Sequence, residues 1–116
     1  GLEALTAECA LAAVEADVLD EVCNSLSAEH PHFDIIKHSI YNFERSISHG
    51  KRRAEELKEV SKMLEDLRLA NHMSKATASW QNKLGSLEKT NSMSKIKENF
   101  VSFAKLLSAE LRDIKE

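Results

Sequence analysis

The sequence predicts an all-α fold, and three observations predict it. Apolar residues Phe33, Ile36, Ile40, Phe43 and Ile47 recur three and four apart, with Ala54 and Leu57 in step. That spacing puts one apolar side chain per turn on one stripe of a helix. The first 26 residues repeat the pattern through Leu2, Leu5, Cys9, Ala12, Ala16, Leu19, Cys23 and Leu26, the seam spacing of a coiled coil. Finally, one Pro, three Gly and 5% aromatic residues leave little material for a sheet or a turn-rich sandwich. The expected architecture is an elongated antiparallel three-helix bundle with coiled-coil-like packing. It becomes a four-helix bundle if the last helix divides. With 116 residues the chain is expected to form a single domain, 1–116, with a real hydrophobic core.

The first expected helix spans 2–26. Beside its seam runs a second stripe, Leu11, Val14, Val18 and Val22, on nearly the opposite side. A helix apolar on two sides is usually buried on two sides. The seam is expected to face the rest of the bundle. The second stripe then becomes an interface for a partner helix or a second copy of the chain. A further helix folding over it is the alternative.

The only Pro, Pro31, lies in a polar break that ends this helix, and Asp34 is placed to cap the next. That second helix, 34–70, would be about 55 Å long. Gly50 falls on its apolar stripe, where it either permits close packing or marks a bend. Polar residues from Asn71 to Ser79 interrupt the pattern, and a third helix follows over 80–114, with a weak point near Asn91. The expected core comprises Leu5, Leu19, Ile36, Ile40, Phe43, Ile47, Leu57, Leu64, Trp80, Phe100, Phe103 and Leu107.

Charge is distributed unevenly. Residues 1–33 carry seven acidic side chains and no Lys or Arg, while the other 83 carry all 16 basic and 12 acidic groups. No apolar run is long enough to span a bilayer. Cys9 and Cys23 would stand about 21 Å apart on one straight helix, too far for a disulfide. They read as reduced core residues in a cytoplasmic protein.

Chemistry is sparse. His30, His32, Asp34 and His38 fall within nine residues but match no zinc-ligand spacing, and a polar turn accounts for them, so no metal is expected. There is no phosphate-cradling glycine loop, no serine-centred elbow and no catalytic carboxylate pair. Neither enzymatic activity, a cofactor nor a small-molecule substrate is expected. Lys51-Arg52-Arg53 is the densest basic run, and Glu55 and Glu56 dilute it, so nucleic acid is not an expected ligand.

One resemblance adds a rival expectation. His49-Gly50-Lys51-Arg52-Arg53 on an apolar helix is followed by Leu57, Met63 and Leu67, then by a break, and Ser79-Trp80 opens the next helix. Over Ile40 to Leu107 this resembles the start of an F-BAR or related BAR-superfamily domain. The resemblance implies long helices that dimerise and lay Lys51, Arg52, Arg53, Lys58 and Lys62 on an anionic membrane surface. The pattern itself favours a non-enzymatic scaffold or adaptor that works through helix–helix contacts.

Overall fold

The computed structural model describes residues 1–87 and 99–114. Among them the fold is all helical, in five helices: α1 (Leu2–Glu15), α2 (Leu19–Glu29), α3 (Ile35–Asp66), α4 (His72–Gly85) and α5 (Phe100–Arg112). The weak point near Asn91 lies outside the described residues. The expected elongated shape is corrected to a slab of 43 × 36 × 21 Å: the expected 2–26 helix is divided, and the polar stretch expected to be a break over 71–79 is instead helical from His72, as the start of a helix that ends at Gly85.

The 32-residue α3 is the frame. Asp34 caps it as expected, its carboxylate accepting the Lys37 backbone N–H at 3.1 Å. Its buried face runs Ile35, Ser39, Phe43, Ser46, Ile47, Gly50, Ala54 and Ser61. The N-terminal half of this stripe is bulky and supplies core, while the C-terminal half is small and admits another backbone. That backbone is α4, which returns after a short turn, and the Asn71 side-chain amide donates to the Ser61 carbonyl at 3.1 Å to tie the turn down.

The two helices meet backbone to backbone at Gly50 and Gly85. A Cβ built on Gly50 would collide with the Gln81 carbonyl oxygen and lie 2.8 Å from the Gly85 nitrogen. Gly50 therefore permits close packing, and α3 passes through it unbroken.

The division of the expected 2–26 helix falls at residues 16–18. Asp17 has φ of 57°, in the left-handed region, and two hydrogen bonds close the end of α1: Asp17 N–H to Val14 O and Val18 N–H to Ala13 O. This is the Schellman arrangement, which commonly carries Gly at the left-handed position. Asp is tolerated there because its side chain is short and polar. The end of α3 repeats the same motif around Arg68, with φ of 60° and Leu69 N–H bonded to Leu64 O.

The core clusters Ala7, Ala10, Leu11 and Val14 of α1 with Phe43, Ile47, Leu84, Leu87, Phe100, Phe103, Ala104 and Leu107. Phe43 stacks with Phe100 at 6.4 Å and meets Phe103 at a tilt at 5.8 Å. Helix α2 has no buried residue; Leu19 alone of its length reaches the core, and only in part. Of the expected core, Phe43, Ile47, Phe100, Phe103 and Leu107 are buried. Leu19, Ile36, Ile40 and Trp80 pack against it half-buried. Leu57 and Leu64 are half-buried farther along α3. Leu5 is corrected: it is 58% exposed.

Replacing Gly50 with Ala is expected to destabilise the fold by about 1–3 kcal/mol through overpacking, outweighing the gain of about 1 kcal/mol that Ala brings to an ordinary helical site. The midpoint of urea unfolding measures it, and an increase in that midpoint contradicts the close crossing.

Candidate helix-docking groove

Two apolar stripes compete for the inside of α1, and their assignment determines the exposed surface. The buried face is Ala4, Ala7, Ala10, Leu11, Ala13 and Val14, with Thr6. Mostly alanine, it lets α1 approach its neighbours closely, and Leu11 and Val14 fill the space between α1 and the aromatic cluster. Leu11 and Val14 are therefore core and not a partner surface, because α5 packs over that side of α1. Val18 is 39% exposed as the N-cap of α2, and Val22 is half-buried on α2, so the four residues do not form one stripe.

The leucine seam faces outward. Leu2 is 79% exposed and Leu5 58% exposed, with Ala12 and Ala16 also exposed. After the reversal at Asp17, α2 runs back beside this face. Leu2, Leu5, Thr6 and Cys9 of α1 then line one cleft of about 430 Å³ with Leu26, His30, Phe33 and Ile35. Its polar groups are few. The Thr6 hydroxyl donates to the Leu2 carbonyl at 2.6 Å, so it is spent within α1. Phe33 is held by stacking on His38 at 4.8 Å. The cleft is thus an apolar trough with one thiol and one imidazole at its edge, suited to bury side chains and carrying no assembled nucleophile, base and oxyanion donor.

The spacing signal for this surface is present in the sequence, in the Leu2-Leu5-Cys9 and Leu26 positions. A continuous helix placed Leu26 far from Leu2, and only the reversal at Asp17 brings the two together.

A second set of exposed apolar side chains lies at and before the turn between α3 and α4: Val60, Met63, Leu67, Leu69 and Met73.

The basic residues are partly committed. Arg53 turns inward and donates to the Glu3 carboxylate, which also accepts the Gln81 amide at 2.9 Å; this node ties α1, α3 and α4 together. Arg52 pairs with Glu56 at 3.0 Å and Lys58 with Glu55 at 3.1 Å along the exposed side of α3. Lys51 and Lys62 are exposed, and Lys62 shares a shallow cleft with Lys58 and Lys75. Of the histidine cluster, His30 lines the apolar cleft and His38 stacks on Phe33, while His32 and Asp34, the cap of α3, line a neighbouring cleft with Cys23. Among the described residues, no three His, Cys, Asp or Glu side chains converge as metal ligands would. No described helix is long and apolar enough to cross a membrane.

Cys9 and Cys23 are both free and half-buried. Because the chain reverses between them, the 21 Å separation expected on one straight helix does not apply. Burial pushes the Cys23 thiol above its ordinary pKa, and the charges of Asp20 and Asp34 and the neighbouring Cys9 push in the same direction. Thiolate is the reactive form, so at mildly alkaline pH a raised pKa leaves less of it. In a Cys9→Ser variant, alkylation of Cys23 by iodoacetamide is expected to be slower in the folded protein than in urea, with the gap closing as pH rises. Faster reaction in the folded state contradicts the described surroundings.

No curated protein and no solved structure matches the chain significantly. A family described as a domain of unknown function (DUF1932) matches residues 13–84, more than half of the chain, from the end of α1 through α4. The chain therefore belongs to the DUF1932 family.

Proposed function

We propose that this helical module is a non-enzymatic scaffold or adaptor that associates with another protein, or with a second copy of itself, through helix–helix contacts at the groove between α1 and α2. The observation that carries this reading is the exposure of Leu2 and Leu5 above an apolar floor completed by Leu26 and Phe33. Contiguous apolar surface of this kind is costly in water and characteristic of docking sites. Burying each large apolar side chain contributes about 1.5–3 kcal/mol before ordering costs, so a few together support association. The reading needs no cofactor and no reaction. Two free thiols suit a reducing, cytoplasmic setting.

The rival reading, a BAR-like module on an anionic membrane, draws on Lys51, Arg52, Arg53, Lys58 and Lys62. It has less support, because Arg53 is turned to Glu3 while Arg52 and Lys58 have acidic neighbours within hydrogen-bonding distance. Each basic residue near such a surface is worth about 1 kcal/mol, so Lys51 and Lys62 by themselves would hold it only weakly.

Leu2→Asp and Leu5→Asp test the association reading without disturbing the core, since both side chains are exposed. The expected outcome is an unchanged helical spectrum with loss of self-association in sedimentation velocity, or of partner capture from extract. Variants that associate as the parent does contradict the reading. Co-sedimentation with phosphatidylserine vesicles that is lost on neutralising Lys51 to Arg53 transfers the support to the membrane reading.

A further inference from the structure

We propose that Cys9 and Cys23 form a reversible disulfide that clamps α2 to α1, so that the redox poise of the surroundings sets how freely α2 moves. The register of the helical hairpin carries it. The chain reverses at residues 16–18, and Leu2 and Thr6 then line one cleft with Leu26 and His30. Thr6 and Leu26 each stand ten residues from Ala16, and Leu2 and His30 each stand fourteen from it. The two arms therefore run antiparallel with these residues level. Cys9 and Cys23 each stand seven residues from Ala16, one helical turn nearer the reversal on the same facing stripes. Phe33 and Ile35 line the cleft that holds Cys9 and also the cleft that holds Cys23. Both thiols are free and half-buried, so neither is locked inside the core.

Cysteines level on facing stripes are bridged once their Cβ atoms come to about 3.8 Å. Helix α2 is free to make that adjustment, because it buries no residue fully and reaches the core only through Leu19. The reaction is thiol–disulfide exchange with a low-molecular-weight disulfide such as oxidised glutathione. One cysteine thiolate attacks a sulfur of the reagent, whose S–S bond breaks, and one glutathione leaves as a thiolate that takes up a proton. The second cysteine gives up its proton and attacks the protein sulfur of this mixed disulfide, expelling the second glutathione. Two protein thiols are oxidised to one disulfide, and the reagent is reduced to two thiols. The new bond closes the segment 9–23 and ties Leu26, one turn beyond Cys23, to α1, which holds that wall of the groove in place.

Equilibration of the full chain with reduced and oxidised glutathione, followed by an acid quench and mass spectrometry, tests the inference. The expected product is a monomer about 2 Da lighter, with no glutathione attached. Its equilibrium against glutathione is expected to be at least about tenfold more favourable in the native protein than in urea, because the fold already sets the two thiols face to face. Amide exchange in α2 should slow by at least about tenfold on oxidation, while α3 around Ser46 to Ala54 is unchanged. Glutathione retained on both cysteines, or a disulfide-linked dimer, overturns the inference. So does an equilibrium no more favourable in the native protein than in urea, or exchange in α2 that the bond leaves unaltered. None of these readouts depends on whether the groove takes a partner.

Discussion

The crossing of α3 and α4 at Gly50 and Gly85 is the constraint on which the arrangement depends. At that point neither helix has a side chain to hold the other off, and the nearest atoms across the contact are backbone. Such proximity is possible only for glycine, and it is favourable only if neighbouring positions are also small. Ser46, Ala54, Thr77 and Ala78 meet that requirement, and all are buried. Dispersion attraction between two closely approached backbones is tiny for any one atom pair and large in sum. The Glu3, Arg53 and Gln81 node then fastens α1 to the pair close to the same crossing.

Once the α3–α4 pair is fixed, the orientation of α1 follows. A helix laid on a closely packed pair must itself present small residues, and Ala4, Ala7, Ala10 and Ala13 do so. The larger Leu11 and Val14 reach past them to Phe103 and Leu107 of α5 in a single cluster. The leucines of the seam cannot occupy the inside at the same time, so Leu2 and Leu5 remain outside. The exposed groove is thus a consequence of packing: the tight inner frame selects the alanine face of α1 and leaves its bulkier face unpartnered.

The all-helical class was legible because the 3.6-residue period is strong in α3 and α5, and because Asp34 and Pro31 punctuate the chain in their usual roles. The second helix was legible in its start and in Phe43 and Ile47, since a capping carboxylate and a bulky stripe are local features. The reversal at Asp17 was not. Its left-handed position holds Asp where Gly would announce it, and the apolar seam keeps its phase straight across the break through Ala16 and Leu19. The acidic pair Asp20 and Glu21 in the first turn of α2 was the available signal of a new helix start. The candidate site suffered most from this. Its residues stood out by spacing, but choosing between two apolar stripes on one helix requires knowing how closely the neighbours approach, and periodicity does not encode that distance.

The same logic makes α2 the lightly held part of the molecule. It buries no residue fully, joins the core only in part through Leu19, and forms one wall of the groove through Leu26, with His30 just past its end. A wall of this kind can adjust to an occupant while the α3–α4 frame stays fixed. Residue-resolved amide hydrogen exchange of the isolated protein reads this division directly. The slowest exchange is expected in α3 around Ser46 to Ala54 and in α4 around Ala78 to Leu84, with α2 exchanging by local opening well before global unfolding. Protection of α2 equal to that of α3 would contradict a fold framed on the glycine crossing.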